Sequence, residues 1–355
     1  MTVNAIDFAP SGRARRVQFN DPQIEMAHGA GGKATRRLID TLLAPLMLAN
    51  HGEPLGDAAL VDIGRQHIAM TADAFVVRPL TFAGGSIGTL AVHGTVNDLA
   101  VSAAVPKALL VTLVLEAGLR RSVLEAEVRA MAEAARQAGV TIVGGDTKVV
   151  EHGKADGMYI TTAGVGVPDP RARLSPATVR PGDRILLSGP IGDHGITVLL
   201  ARGQVTFDAD LRSDTRSVWP LVDGLLDAAG AGVRWMRDPT RGGVATALKE
   251  LAQDTGLAIV LQEEHVPVRD EVRGVCEILG LDPLHIANEG QFLAVLAPEY
   301  ADRACEALRA APGGEAAALV GEVRDSPAGV VVAYSNYGTS RAVDMLAGDP
   351  LPRIC

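Results

Sequence analysis

Ala108-Leu109-Leu110-Val111-Thr112-Leu113-Val114-Leu115 is a run, apolar but for Thr112, that reads as a strand. A helix pattern follows over 121–138, then a short strand over 140–143 and a longer one over 158–167. On the N-terminal side, a glycine-rich turn at 29–32 leads into a helix over 33–48. Strands follow at 67–71 and 75–80, and a helix of small residues over 87–104. The same coarse order recurs C-terminally. A strand at 184–188 precedes helices at 195–202, 218–229 and 243–254. Strands at 258–261 and 292–296 and a closing hairpin built from 320–324 and 330–334 complete the half. Strands alternating with helices define the class as α/β (α+β).

The length, 355 residues, suits two domains better than one core. The segment 169–180 carries prolines and charges and is the expected boundary. The expected organisation is an arm over 1–25, domains over 26–170 and 171–338, and a flexible tail over 339–355. Aromatic residues are 3% of the chain against 47% hydrophobic, so the core must be aliphatic. The net charge of −9 and the lack of a basic run exclude nucleic-acid binding by phosphate neutralisation. No apolar run is long enough to span a bilayer and no secretory signal is visible, so no membrane partner and a cytoplasmic location are expected.

Cys276, Cys305 and Cys355 lack C-x-x-C spacing and are odd in number, which argues against a disulfide framework or a zinc site. Cys276 and Cys305 fall in helical patterns and read as core residues. Cys355 is different. It ends the run Asp349-Pro350-Leu351-Pro352-Arg353-Ile354-Cys355, where two prolines favour an extended, semi-rigid chain. A thiol on such a tail can carry a group between two places. Its own α-carboxylate disfavours the thiolate, so reactivity needs a nearby cation, and Arg353 is the one on the tail.

Asp73, Asp98 and Asp146 each stand beside small residues, where a carboxylate can hold Mg²⁺ or simply form a turn. With Gly29, Gly31, Gly32 and Gly145 they suggest a nucleotide-phosphate site of unusual type. Ala27 and Ala34 occupy the positions where a Walker motif needs glycine and Ser/Thr, and no G-x-G-x-x-G follows a strand. Asp238-Pro239-Thr240-Arg241-Gly242-Gly243 reads as a turn into a helix, capped by Asp238 or Thr240, with amides that can face an anion. Glu289, in Asn288-Glu289-Gly290 before an apolar strand, is a candidate base or a turn residue. His28 and His194, beside glycines, can touch phosphate, whereas His93 reads equally as structural.

Together these stretches resemble the HypE family of hydrogenase maturation factors, the carbamoyl dehydratases. The resemblance is carried by 27–32, 97–102, 145–150, 192–195, 238–243, 288–290 and the terminal Pro352-Arg353-Ile354-Cys355, and it runs from His28 to the end of the chain. The Pro-Arg-Ile-Cys end is its specific part. The aspartate and glycine motifs are shared with the wider superfamily of aminoimidazole ribonucleotide synthetase, selenophosphate synthetase and thiamine-monophosphate kinase. The resemblance implies a two-domain PurM-like architecture with an N-terminal ATP-binding domain, dependence on ATP and Mg²⁺, and a homodimer. It implies that a HypF-like carbamoyltransferase loads the thiol of Cys355, and that a HypC–HypD complex accepts the cyano group made there. Mg²⁺ is then expected on Asp73, Asp98 and Asp146 with help from Asn97, and nucleotide contacts from Gly29, Gly31, Gly32, Gly145, Thr147, Asp238, Thr240 and Arg241. Glu289 is the expected base, and Lys148 a charge stabiliser or alternative base. A small-molecule kinase or synthetase of the same superfamily is the alternative. It has no use for a terminal thiol.

Overall fold

The computed structural model describes residues 19–48, 54–64, 66–203, 210–335, 337–348 and 351–355. Most of the expected arm, and Asp349 and Pro350 of the tail, lie outside the described residues. In chain order, α1 (Lys33–Leu38) continues through a π-helical stretch into α2 (Ala44–Met47). Then come β1 (Ala59–Ile63), β2 (Gln66–Phe75), the small hairpin of β3 (Thr81–Phe82) and β4 (Gly85–Ser86), and α3 (Ile87–Val101). β5 (Ala104–Glu116), α4 (Arg121–Gln137), β6 (Thr141–Val150) and β7 (Met158–Pro168) complete the first half. The second half runs β8 (Arg184–Leu187), α5 (Asp193–Ala201), α6 (Trp219–Ala229), β9 (Val233–Arg237), α7 (Gly243–Thr255) and β10 (Ala258–Gln262). It ends with α8 (Asp270–Leu279), β11 (Leu293–Leu296), α9 (Pro298–Arg309), β12 (Ala318–Arg324), β13 (Val331–Tyr334) and β14 (Ser340–Val343).

The first sheet has the order β1-β2-β7-β5-β6, antiparallel except for the β5–β6 pair. α3 is apolar all round and is buried on nearly every side, as such a helix must be. One flank packs on β2, β5 and β7 and the other on α4 and α6. Gly164 on β7 permits the approach, because a Cβ there would lie 2.7 Å from Thr95 and 3.1 Å from Leu99 of α3. The opposite face of the sheet is uncovered. It exposes Val61, Ile63, Met70 and Leu110.

The second sheet has the order β14-β13-β10-β12-β8-β11-β9, with α7 on one face and α6 and α9 on the other. Two expectations fail here. β12 and β13 do not form a hairpin, because β10 lies between them, antiparallel to β12 and parallel to β13. Residues 340–343 are not tail but an edge strand, paired from Ser340 with Tyr334 to Val343 with Val331. The expected strand at 75–80 is not formed: β2 is one long strand ending at Phe75, and residues 76–80 lie outside the sheet with a bend over 78–80. Cys276 and Cys305 are buried, as expected of core residues.

An aliphatic cluster joins the halves: Phe75 and Val77 from the first meet Ile196, Leu199 and Val272 from the second, with Leu351 and Ile354 of the chain's end among them.

Candidate functional site

Strand alternation sends Thr71 and Asp73 of β2 toward α3, where Asp98 lies. The loop after β9 brings Asp238, and the segment before β1 brings Asp57. Carboxylate oxygens of Asp57, Asp98 and Asp238 lie within 4.8 Å of one another. Thr71 Oγ1 donates to Asp98 Oδ2 at 2.7 Å. Arg237 donates to Asp57 at 2.6 Å and to Glu250 at 2.6 Å, so its charge is shared outside the cluster. Burial drives the Asp57 carboxyl up to about 6, although Arg237 opposes it. Asp98 and Asp238 are driven well above the usual range, first by desolvation and then by their acidic neighbours. Asp73 is raised for the same first reason, with Arg241 opposing. Such a donor set lacks positive charge and suits a hard divalent cation. Asp57 and Arg237 were not singled out in the sequence. Arg237 adjoins the Asp238 motif, whereas nothing local marks Asp57.

Asp146 does not join this cluster. Asp73 is in register with Thr162, Val111 and Gly145 across the sheet, and Ala74 with Thr161, Thr112 and Asp146. Asp146 is therefore three strands away, about 14 Å, and points to the opposite face from Asp73. It is exposed, and Lys148 pairs with it at 2.7 Å and holds its carboxyl below the usual range. Gly145 serves the strand pairing: a Cβ there would sit 1.7 Å from the carbonyl oxygen of Val111. Within one chain, Gly145, Asp146, Thr147 and Lys148 thus lie on edge strand β6 rather than in a phosphate-binding turn, with Asp146 and Lys148 on the sheet's uncovered side.

Asn97 is also placed differently from expectation. Its amide donates to the carbonyls of Arg216 (3.0 Å) and Glu289 (3.1 Å) and accepts from the amide of Val218 (2.8 Å). It staples α3 to the second half, and its polar atoms are spent on backbone rather than on a metal. In the turn at 29–32, Gly31 and Gly32 are needed because neighbouring segments crowd them, whereas Gly29 has open space. A Cβ on Gly31 would meet Arg241 at 2.7 Å, and one on Gly32 would meet the Leu346 carbonyl at 2.3 Å. Of these glycines, Gly29 alone lines the cleft described below. Neither Asp238 nor Thr240 caps α7 with its side chain. Gly242, in the left-handed region at φ +75°, is the N-cap, and the Thr240 carbonyl accepts from Gly243. His28 is bonded to Asp21 and to the amide of Glu25, away from any phosphate role.

Glu289 is 3% exposed. Its amide and that of Gly290 donate to Asp214 at 3.1 Å each, and its carbonyl is held by Asn97. Its side-chain Oε1 is buried without a partner among the described residues. Burial, then the charges of Asp238, Asp73 and Asp214, drive its carboxyl well above the usual range.

The tail is docked, not free. Cys355 lines a cleft of about 440 Å³ with Gly29, Ala74, Val76 and Arg241. The Arg241 guanidinium is held strongly charged, first by the negative charge of Cys355 and further by Asp73, Glu289 and Asp98, against the cost of burial. Arg241 thus stands between the chain's terminus and the acidic groups. Arg353, the cation expected to assist the thiol, is instead ion-paired with Asp156. His194 lies under the tail rather than at a phosphate. Its Nε2–H donates to the Ile354 carbonyl at 2.8 Å and its Nδ1 accepts from Ser213 at 2.8 Å. Burial pulls its pKa down to about 4, so the ring is neutral.

Two linked α/β domains, with a carboxylate cluster at their junction, define a class. Residues 55–168 match the family of AIR synthase related proteins, N-terminal domain, and 180–333 match its C-terminal domain. Within that class the chain belongs to the HypE family of carbamoyl dehydratases. It is 47% identical over 340 residues to carbamoyl dehydratase HypE of Azotobacter vinelandii, covering 96% of this chain and 99% of that one. The structure resembles HypE in a HypE–HypF complex with a TM-score of 0.82 at 41% identity, covering 87% of this chain and 99% of that one. It also resembles HypE solved in complex with ATP, with a TM-score of 0.78 at 43% identity, covering 93% and 99%.

Proposed function

We propose that the chain converts a carboxamide carried on the thiol of Cys355 to a cyano group, using ATP, and so supplies the cyanide ligand of a [NiFe]-hydrogenase. The observation that carries the reading is the docked tail: it brings Cys355 into one cleft with Arg241, and Arg241 in turn feels the charges of Asp73, Asp98 and Glu289. A small-molecule kinase would leave this cleft open to its substrate.

An amide oxygen is a poor leaving group until it is phosphorylated. Transfer of the γ-phosphoryl group to the carbamoyl oxygen, with loss of one N–H proton, gives an S-bound imidate phosphate. Loss of the second N–H proton expels phosphate and leaves S–C≡N. Asp57, Asp98 and Asp238, with Asp73 adjacent, would hold Mg²⁺, which when bound would supply charge neutralisation for phosphate oxygens. Arg241 stabilises charge on the carbamoyl and phosphoryl oxygens. Glu289 accepts a proton from nitrogen. Arg241 opposes the rise in its pKa and so favours the ionised, proton-accepting form.

The uncovered apolar face with Val61, Ile63, Met70 and Leu110 supports a homodimer. Lys148, on that side of the sheet, serves the reaction only across such a contact. A HypF-like carbamoyltransferase is the expected donor, since a relative at 41% identity is solved in complex with HypF, and a HypC–HypD complex is the expected acceptor. Among the described residues no helix is long and apolar enough to cross a membrane, in keeping with a cytoplasmic site of action. The test is sedimentation of the protein with and without Met70→Glu. A monomeric wild type contradicts the homodimer.

A further inference from the structure

The backbone at Glu289 and Gly290 is held by side chains, since neither residue belongs to a strand. The Asp214 carboxylate accepts from the Glu289 amide through Oδ1 and from the Gly290 amide through Oδ2, at 3.1 Å each. Arg216 Nε donates to the Gly290 carbonyl at 3.0 Å, and Asn97 donates to that of Glu289 at 3.1 Å. Both amides and both carbonyls are therefore tied, and two of the side chains that tie them are ionic. Asn97 also donates to the Arg216 carbonyl at 3.0 Å, so the holding groups are linked to one another.

The segment that carries Asp214 and Arg216 is itself fixed. The Ser213 amide donates to the Ala83 carbonyl at 2.9 Å, its hydroxyl bonds His194 at 2.8 Å, and buried Val218 anchors the segment where α6 begins. A Cβ at residue 290 would sit 1.8 Å from the Asp214 carbonyl oxygen, so only glycine fits there. A Cβ on Gly313 would lie 2.0 Å from Arg216 Nη1, so the guanidinium is seated against that turn. Burial pushes the Asp214 carboxyl up to about 6 and the two amides oppose the rise, which leaves it ionised at neutral pH. The far end of Glu289 is the reverse of its backbone, because Oε1 is buried with no partner among the described residues. A fixed backbone beneath an unspent carboxyl oxygen is the arrangement that pre-organises a proton acceptor.

We propose that Asp214 and Arg216 are positioning residues for the dehydration that act through Glu289: they fix residues 289 and 290, and with them the direction from which the carboxylate meets the carbamoyl nitrogen. The proposal rests on the reading of Glu289 as the proton acceptor. A residue that only supports the fold has the same effect whatever stands at 289. One that acts through Glu289 slows the reaction only while a carboxylate is there.

The experiment follows single-turnover water loss from the carbamoylated full-length protein by intact mass, over a range of ATP concentrations with Mg²⁺. It compares the wild type, Asp214→Asn, Arg216→Met, Glu289→Gln and the double variant Asp214→Asn/Glu289→Gln. Iodoacetamide labelling checks the fold, with buried Cys276 and Cys305 as reporters of unfolding and Cys355 as reporter of the cleft. Asp214→Asn keeps the shape and one acceptor but turns an amino group toward the other amide. Displacing a reacting group by about an ångström costs about 10²-fold, so the maximal rate of Asp214→Asn should fall by about 10- to 100-fold. Arg216→Met should fall by about tenfold, and in both the half-saturating ATP concentration should stay within about twofold of wild type. In the Glu289→Gln background, Asp214→Asn should change the rate by less than about twofold. Wild-type rates in both Asp214→Asn and Arg216→Met overturn the proposal. So does a loss from Asp214→Asn that is equal with Glu or Gln at 289, or a loss in both variants matched by faster labelling of Cys276 and Cys305. If Glu289→Gln loses water as fast as the wild type, the reading of Glu289 fails and the proposal with it. If Glu289→Gln is slow while Asp214→Asn and Arg216→Met are not, that reading stands and the positioning role alone fails.

Discussion

His194 donates its Nε2 hydrogen to the carbonyl of Ile354 at 2.8 Å, a bond that joins α5 of the second domain to the penultimate residue of the chain. Through it the tail becomes part of the domain junction, and the thiol is placed by the same contacts that stabilise the fold.

That bond has a pH signature. His194 is neutral because burial holds its pKa at about 4, below the ordinary histidine value of 6.5. A histidine depressed in this way contributes stability that is full above 6.5 and is lost as pH falls toward 4. The difference corresponds to about 3 kcal/mol at most. His194→Gln should therefore flatten the decline of Tm between pH 6.5 and 4, measured by calorimetry. An identical decline in both proteins contradicts the assignment.

The acidic cluster should trade stability for function. Asp57, Asp98 and Asp238 have raised pKa values, so their contribution is favourable when protonated and is lost as pH rises, through about 6 for Asp57. Asp98→Asn keeps an acceptor for Thr71 while removing a charge. It should raise the Tm of the metal-free protein at pH 7.5 by a few degrees. Addition of Mg²⁺ should raise the wild-type Tm, more at pH 8 than at pH 5.5 because protons are displaced, and should leave Asp98→Asn unmoved.

Asn97 should behave as a staple rather than a ligand. Asn97→Ala leaves the Val218 amide and the Glu289 and Arg216 carbonyls without their partner, at a cost of about 2–4 kcal/mol. Urea denaturation should show that loss, while the dissociation constant for ATP at low temperature changes little. A large loss of affinity with unchanged stability restores the nucleotide role.

Glu289→Gln preserves the backbone bonds to Asp214 and Asn97 and removes the proton acceptor. Water loss should fall by about 10²–10⁴, with Cys355 labelling unchanged.

Much of the fold is legible because it is local. The run at 108–115 is apolar but for Thr112, 158–167 is free of charges and proline, and helices over 121–137 and 243–255 show their faces in the sequence. What fails is non-local. The segments ending at Arg324 and starting at Val331 look like a hairpin because nothing between them announces that β10 will enter from 60 residues earlier, near Ala258. β6 stops short in the sequence reading because Gly144-Gly145 looks like a turn, whereas the nearby Val111 carbonyl is what requires a missing Cβ. Ser340-Arg341-Ala342-Val343 is a polar edge strand and reads as tail for that reason. In the site, motif residues Asp98, Asp238, Arg241 and Glu289 lie within one another's electrostatic reach. Asp146 and Lys148 do not, since the parity of β6 turns them to the other face. Asp57 and Asp156 carry no signal, because their partners lie far away in sequence.

The central claim is that a group on the terminal sulfur is rebuilt in the cleft lined by Arg241, with Glu289 accepting its proton. Its most direct measurement is the mass of the carbamoylated full-length protein before and after ATP and Mg²⁺, with the modified peptide sequenced. The account predicts loss of one water, confined to Cys355 and absent from Glu289→Gln. Retention of the carbamoyl group in the presence of ATP, or water loss that maps elsewhere, contradicts it.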